Sequence, residues 1–333
     1  MIKVGLCGAG FMGKMNVACY AGLPGVKIVA VADVRRDFAE AAAKRSGAKI
    51  YSKAADLIAQ ADVDMVSICL PTYLHAEHVI QAARSGLDCF CEKPMALNAA
   101  EGRRMLKAVR AAKIKFTVGH VIRFWPEYQL LKEMIDRRRF GKLRALFLRR
   151  FGSRPAGWKK WFQNPRLSNG AALDLHIHDA DFVQYLFGRP KSLDSVGVCR
   201  KGSWDQISTQ YHYPGVAVSA IGGWWPAPEA FDMAFRAVFD KAIVAYSSRL
   251  TPMTLSVPGK EPEKLDVPQP ASSGKVDAGG NISSLGGYFN EIQYWVDCLQ
   301  KGREPQIVTG EDGLAAVELV EREIASAAKK KGR

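Results

Sequence analysis

The chain has 333 residues, of which 48% are hydrophobic and 24% charged; this balance excludes a disordered protein and supplies more chain than one hydrophobic core serves. Lysine and arginine total 47 against 33 acidic residues, for a formal net charge of +14. The basic residues are scattered in short clusters (Arg35-Arg36, Arg137-Arg138-Arg139, Lys329-Lys330-Lys331) without the spacing of a nucleic-acid binder, and no apolar run is long enough to span a membrane.

Read in chain order, residues 1–121 alternate short β-rich runs with helical patterns, the signature of βαβ units and a parallel sheet. Strands are expected at Lys3–Cys7, Lys27–Ala32, Met65–Leu70, Leu87–Cys91 and Lys115–Val118, each almost continuously apolar as in strands covered on both faces. Helices are expected near Gly13–Gly22, Phe38–Ser46, Lys53–Ala59, Ala76–Ser85 and Ala99–Ala112, the last with Asn98 and Glu101 as a capping pair. The pattern already reads as a strand near Met1, which leaves no room for a signal peptide.

Beyond Phe124 the texture changes, and residues 122–333 are expected to form a second domain that binds substrate and builds an oligomer, its final helix returning to the first domain. A helix at Tyr128–Arg138 and a strand at Leu143–Phe151 lead into a loop carrying Trp158 and Trp161, and a helix follows at Ala171–Phe187. Short strands from Ser192 to Ser256, broken at Pro214-Gly215 and Asp240-Lys241, read as an antiparallel meander. Residues 258–287 read as a loop and helices close the chain at Tyr288–Gln300 and Gly310–Lys329. The seven cysteines show no metal-site spacing; they read as reduced core thiols, which suits a cytoplasmic location.

The segment Gly8-Ala9-Gly10-Phe11-Met12-Gly13 follows the first strand and opens the first helix, and Asp33 stands at the end of the second strand. In that context the glycines have separate tasks: Gly8 makes the turn, Gly10 admits the pyrophosphate, and Gly13 lets the helix close on the strand. Asp33 would accept hydrogen bonds from the adenosine ribose, and its charge favours NAD, while Arg35 keeps NADP open.

Further motifs follow in order: Pro71-Thr72-Tyr73-Leu74-His75, then Glu92-Lys93-Pro94, Val118-Gly119-His120, Arg123-Phe124, Asp174…His178-Asp179 and Thr309-Gly310-Glu311-Asp312-Gly313. Together they make the chain resemble the Gfo/Idh/MocA oxidoreductases, the glucose–fructose oxidoreductase and inositol dehydrogenase family. The resemblance implies an α/β fold: an N-terminal Rossmann domain plus a C-terminal α+β domain with a large, mostly antiparallel open sheet that often joins subunits as dimers or tetramers. It implies hydride transfer between nicotinamide and a hydroxyl or ketone of a sugar, cyclitol or sugar derivative, with Lys93, Asp174 and His178 as the catalytic group.

The chemistry of these residues agrees. Asp174 and His178 are four apart on a helix and share a face, His178 has the intrinsic pKa of a base near neutrality, and a Lys93 ammonium can stabilise charge on the reacting oxygen. Leu70, Pro71, Thr72, His75 and Glu92 are cofactor-loop candidates, and Pro94 is a candidate for a cis peptide. His120, Arg123, Trp158, Trp161 and His176 are substrate-pocket candidates, each weighed against a packing role. His176 replaces what is commonly a small residue in the family; it lies about 200° around the helix from His178, so no metal site is expected. Two functions compete, a dehydrogenase (or keto-sugar reductase) and an NAD(P)-binding sensor without turnover, and the complete catalytic set favours the enzyme.

Overall fold

The computed structural model describes residues 1–226, 230–269 and 285–330. The chain folds as two compact units, Met1–Phe124 with Pro270–Val317, and Trp125–Gln269 with Glu318–Arg333. The late helix Gly286–Gln300 and the first part of the last helix, residues 310–317, group with the first unit, and the rest of that last helix groups with the second. Of the loop expected over 258–287, residues 270–284 lie outside the described residues, as does Lys331 of the last basic cluster.

In the first unit β1 (Ile2–Cys7), α1 (Phe11–Ala21), β2 (Val26–Ala32), α2 (Arg36–Ser46), β3 (Lys49–Tyr51), α3 (Ala54–Gln60), β4 (Met65–Ile68), α4 (His75–Arg84), β5 (Asp88–Glu92), α5 (Ala99–Ala112) and β6 (Phe116–Gly119) follow in turn. The strands form a six-stranded parallel sheet in the order β3-β2-β1-β4-β5-β6. Strand order reverses between β1 and β4, so a crevice opens at their carboxyl ends. Val4, Leu6, Val66, Ile68, Phe90 and Val118 are fully buried in this sheet, each burial stabilising by about 1.5–3 kcal/mol. Asn98 caps α5 as expected, its Oδ1 accepting from Glu101 N at 2.9 Å.

The second unit continues with α6 (Pro126–Asp136), β7 (Leu143–Ser153), α7 (Pro165–Ser168), α8 (Ile177–Phe187), β8 (Ser192–Arg200), β9 (Ser203–Tyr213), β10 (Val216–Trp225), β11 (Asp232–Phe239), β12 (Ile243–Ser247), β13 (Thr251–Ser256) and β14 (Glu263–Lys264). Its eight-stranded sheet has the order β14-β13-β12-β11-β7-β10-β9-β8. The expected meander is therefore interrupted: β7 inserts between β10 and β11 and pairs with β10 in parallel, the rest being antiparallel. Tyr128 of α6 meets Phe182 of α8 and Phe235 of β11 edge-on, at centroid separations of 5.0 and 5.1 Å, fixing both helices on one face. The late helices are α9 (Gly286–Gln300), whose Trp295 is buried in the first unit with Nε1 donating to Met65 Sδ, and α10 (Gly310–Lys329).

Candidate functional site

The carboxyl edge of the parallel sheet gathers the glycine turn after β1, Asp33 after β2, the Leu70–His75 segment after β4 and Lys93 after β5. Gly8 has φ +94°, and a Cβ there would stand 2.5 Å from Cys69 O. At Gly13 a Cβ would stand 2.1 Å from Gly8 O, so only glycine lets α1 start this close to β1. Gly10, the residue before α1, has open space where its Cβ would be. This is the cradle a dinucleotide pyrophosphate requires, with the helix N-terminus facing it and no acidic residue in the first turn. Asp33 Oδ2 accepts from Ala9 N at 2.7 Å and Oδ1 from Arg35 N at 2.8 Å, so the carboxylate is tied to the turn itself. The Arg35 guanidinium lies 3.7 Å from the Phe38 ring centroid and pairs with Asp37 at 2.6 Å. These residues fit NAD: Gly8, Gly10, Phe11, Met12 and Gly13 would hold the pyrophosphate and Asp33 the ribose.

On the other side of the switch point, a 3₁₀ turn at Thr72–Leu74 leads into α4, and Thr72 is buried. His75 is 1% exposed and bridges two carbonyls, with Nδ1 2.8 Å from Pro94 O and Nε2 2.8 Å from Leu70 O. Its ring joins the β4 loop to the β5 loop. Burial pushes its pKa down, although the two carbonyls favour the protonated ring. The Lys93–Pro94 peptide is cis. Glu92 is buried against Gly119, whose Cβ would stand 3.0 Å from Glu92 Oε2, so Glu92 supports β6 from inside.

Asp174 lies in a π-helical turn, Ala172–His176, that runs into α8, where His178 occupies the first turn. Asn169 (φ +57°) and Gly170 (φ +75°) make the reversal that precedes it. From Ala171 to Val183 every residue is buried except Asp174, which is partly exposed, and His178 lies at the margin at 9%. The segment is thus a core helix that presents its carboxylate outward and its imidazole at the edge. Asp179, one residue on, is fully buried in an ion pair with Arg150 at 2.8 and 3.1 Å.

Residues 2–120 match the Gfo/Idh/MocA N-terminal domain, described as an oxidoreductase family with an NAD-binding Rossmann fold, and residues 132–332 match its C-terminal alpha/beta domain. The chain belongs to the Gfo/Idh/MocA oxidoreductase family. An inositol 2-dehydrogenase of Rhizobium meliloti (strain 1021) is 29% identical over 99% of this chain and 98% of its own. A levoglucosan dehydrogenase of Pseudarthrobacter phenanthrenivorans is 33% identical over 59% of this chain and 53% of its own. The crystal structure of a candidate myo-inositol dehydrogenase from Sinorhizobium meliloti 1021 superposes with a TM-score of 0.81 at 27% identity, covering 99% of this chain and 98% of that one.

Within this Gfo/Idh/MocA chain, three substrate-pocket candidates make close contacts inside the protein. Arg123 is 5% exposed and spends its guanidinium on Ile307 O at 2.7 Å and Asp312 at 3.4 Å. Trp161 stacks on Phe162 at 3.7 Å, beside the buried cluster of Ala171, Leu175 and Trp224. His176 is fully buried, its Nε2 3.1 Å from Glu323 Oε2 and 3.3 Å from Tyr211 Oη. His120 is also fully buried, whereas Trp158 is 44% exposed, with the Lys159 ammonium 5.7 Å from its ring centroid. Sequence reasoning missed Tyr211, Arg150 and Glu323. The last had a signal: it falls on the apolar stripe Ala316, Leu319, Val320 and Ala327 of α10, an acid where helical spacing calls for a core residue.

Proposed function

We propose that this chain oxidises a secondary hydroxyl of a sugar, cyclitol or related polyol, and by reversal reduces the corresponding ketone, with Lys93, Asp174 and His178 as its catalytic group. The observation that supports the reading is the carboxyl edge of the parallel sheet, where the glycine cradle, Asp33 and Lys93 follow strands β1, β2 and β5 on either side of the switch point. The substrate class is supported by relatives named for inositol and levoglucosan dehydrogenation. Bound NAD supplies the hydride acceptor. The Lys93 ammonium donates to the reacting oxygen and offsets its negative charge as the proton leaves; His178 takes that proton, and Asp174 orients substrate beside it. Asp33 favours NAD over NADP by repelling a 2′-phosphate, since Arg35 is already engaged by Asp37 and Phe38.

The same reading makes the enzyme a cytoplasmic homodimer or homotetramer assembled through the eight-stranded sheet. All seven cysteines are unpaired, which suits a reducing compartment. Phe147, Val196, Val198 and Trp225 are exposed on that sheet, and a second copy would cover them. The test of activity is a screen of inositols, hexoses and amino or acid sugars at the reduced-nicotinamide absorbance band. In the active pair, Lys93→Met and His178→Asn should each lower kcat by roughly 10²–10⁴ while NAD affinity is retained. Near-parental turnover in both variants would overturn the catalytic assignment, and tight NAD binding with no turnover on any polyol would point to a sensor instead.

A further inference from the structure

We propose that Glu323 of α10, with Tyr211 of β9, is a positioning device for the catalytic turn: through His176 it holds the π-helical segment in the register that presents Asp174 and His178. The inference rests on the catalytic reading given above.

A π turn inserts one residue into a helix and survives only where its surroundings fix it. Here the insertion falls at Ala172–His176, between the turn-making Gly170 and the first turn of α8. At its end stands His176, two residues from Asp174 and two from His178, with no exposed surface. Tyr211 Oη donates to Glu323 Oε1 at 2.6 Å; its one proton is thereby used, so His176 Nε2–H donates to Tyr211 Oη at 3.3 Å, and the same nitrogen lies 3.1 Å from Glu323 Oε2 as an ion pair. All three side chains are fully buried. From the sheet side β10 closes on the same residue: a Cβ on Gly222 would stand 3.1 Å from His176 Cβ, so the turn cannot shift toward the sheet. Burial alone would lower the His176 pKa, but the Glu323 carboxylate outweighs it and raises the pKa. Arg150 fixes the following turn through Asp179, so His178 lies between two anchored neighbours, one tied to α10 and one to β7. A tether of this kind is costly to bury, and apolar residues of similar volume would stabilise the fold as well. Its place beside the catalytic pair gives it a different use, since misplacement of a reacting group by about 1 Å can cost about 10²-fold in rate.

The test separates packing from positioning. In the double variant His176→Leu/Glu323→Met no charge is left unpaired and only the buried Tyr211 hydroxyl loses its partners, so the melting temperature should fall by no more than several degrees. The expected result is a kcat at least tenfold lower, a KM for NAD within threefold of parental, and displaced His178 imidazole signals in ¹H–¹⁵N NMR spectra. Single Glu323→Gln and Tyr211→Phe variants should shift kcat and His178 in the same direction by smaller factors, and His176→Gln, which keeps a donor at the Nε2 position, should recover most of the His176→Leu loss. Parental kcat and unmoved His178 signals in the folded double variant, or in Glu323→Gln if the double variant does not fold, would overturn the proposal. The His178→Asn control distinguishes the two failures: if it retains turnover the catalytic reading falls, and if it is inactive while the tether variants are normal only the positioning role falls.

Discussion

At the scale of single residues, the cofactor site rests on groups whose neighbours leave little choice of side chain. Gly8 and Gly13 are fixed by backbone oxygens within 2.5 and 2.1 Å of any Cβ, which is why the glycine spacing could be read directly from the sequence. Asp33 has two tasks, tying the turn through Ala9 N and setting the charge at the ribose end. Asp33→Asn keeps an acceptor for the turn and removes the charge, so NADP should gain more than NAD. At an effective dielectric near 20 a unit charge about 4 Å away is worth about 4 kcal/mol at most, and a tenfold change corresponds to about 1.4 kcal/mol. The expected outcome is a fall of roughly tenfold or more in the NAD-to-NADP affinity ratio, measured by titrating both cofactors. An unchanged ratio would mean that Arg35, Asp37 or the turn geometry sets the preference.

At the scale of elements, most of the first sheet was legible because its strands are continuous apolar runs separated by amphipathic helices, and α5 and α10 were read to their ends. The strand β3, with three residues, carries too little pattern to be seen, and the β7–β10 parallel pairing depends on tertiary context that local periodicity does not record. Asp174 and His178 were singled out by motif, but the π turn that carries Asp174 and the anchors beneath it were not. Arg150 is the clearest case: in sequence it is one of a pair of arginines on a strand, and alternation alone puts Arg149 outward and Arg150 into the core beside Asp179. Its partner is 29 residues away and no spacing rule predicts it. With exposures of 1% for Arg150 and 0% for Asp179, deleting one partner should cost about 3–5 kcal/mol, because the other charge is left buried. Arg150→Met is expected to lower the unfolding free energy by that amount in denaturant titrations, and Arg150→Met/Asp179→Leu to recover much of it. If the single variant were as stable as the parent, the pair would have no structural importance and the anchoring of α8 would need another source.

At the scale of the whole molecule, the second sheet poses the remaining question, because among the described residues of its unit the helices α6 and α8 cover one face. Pairing register shows which residues share the other: Val196 aligns with Ser208, Ile221 and Arg149 across β8, β9, β10 and β7, and Phe147, two residues along β7, points the same way. Trp225 on β10 and Val198 on β8 keep the same alternation. Phe147, Val196 and Val198 are 46%, 54% and 44% exposed, large apolar side chains on a face that also carries the exposed Arg149 and Arg236 beside Phe147. A face of that kind is stable in water when a second copy covers it, and a two-fold arrangement would bring Phe147 of each copy against the same patch of the other. The proposed assembly therefore predicts that Phe147→Asp, placing a carboxylate on each side of a self-complementary contact, shifts the protein toward the monomer at micromolar concentration. Sedimentation velocity reads this directly: the parent should sediment as a dimer or tetramer and the variant as a smaller species with its far-ultraviolet circular dichroism unchanged. A parent that sediments as a monomer, or an assembly indifferent to Phe147→Asp, would show that this sheet is not where subunits meet. Because Asp174 and His178 lie on buried structure anchored to β7 and α10, a folded monomeric variant should keep a substantial part of the parental turnover.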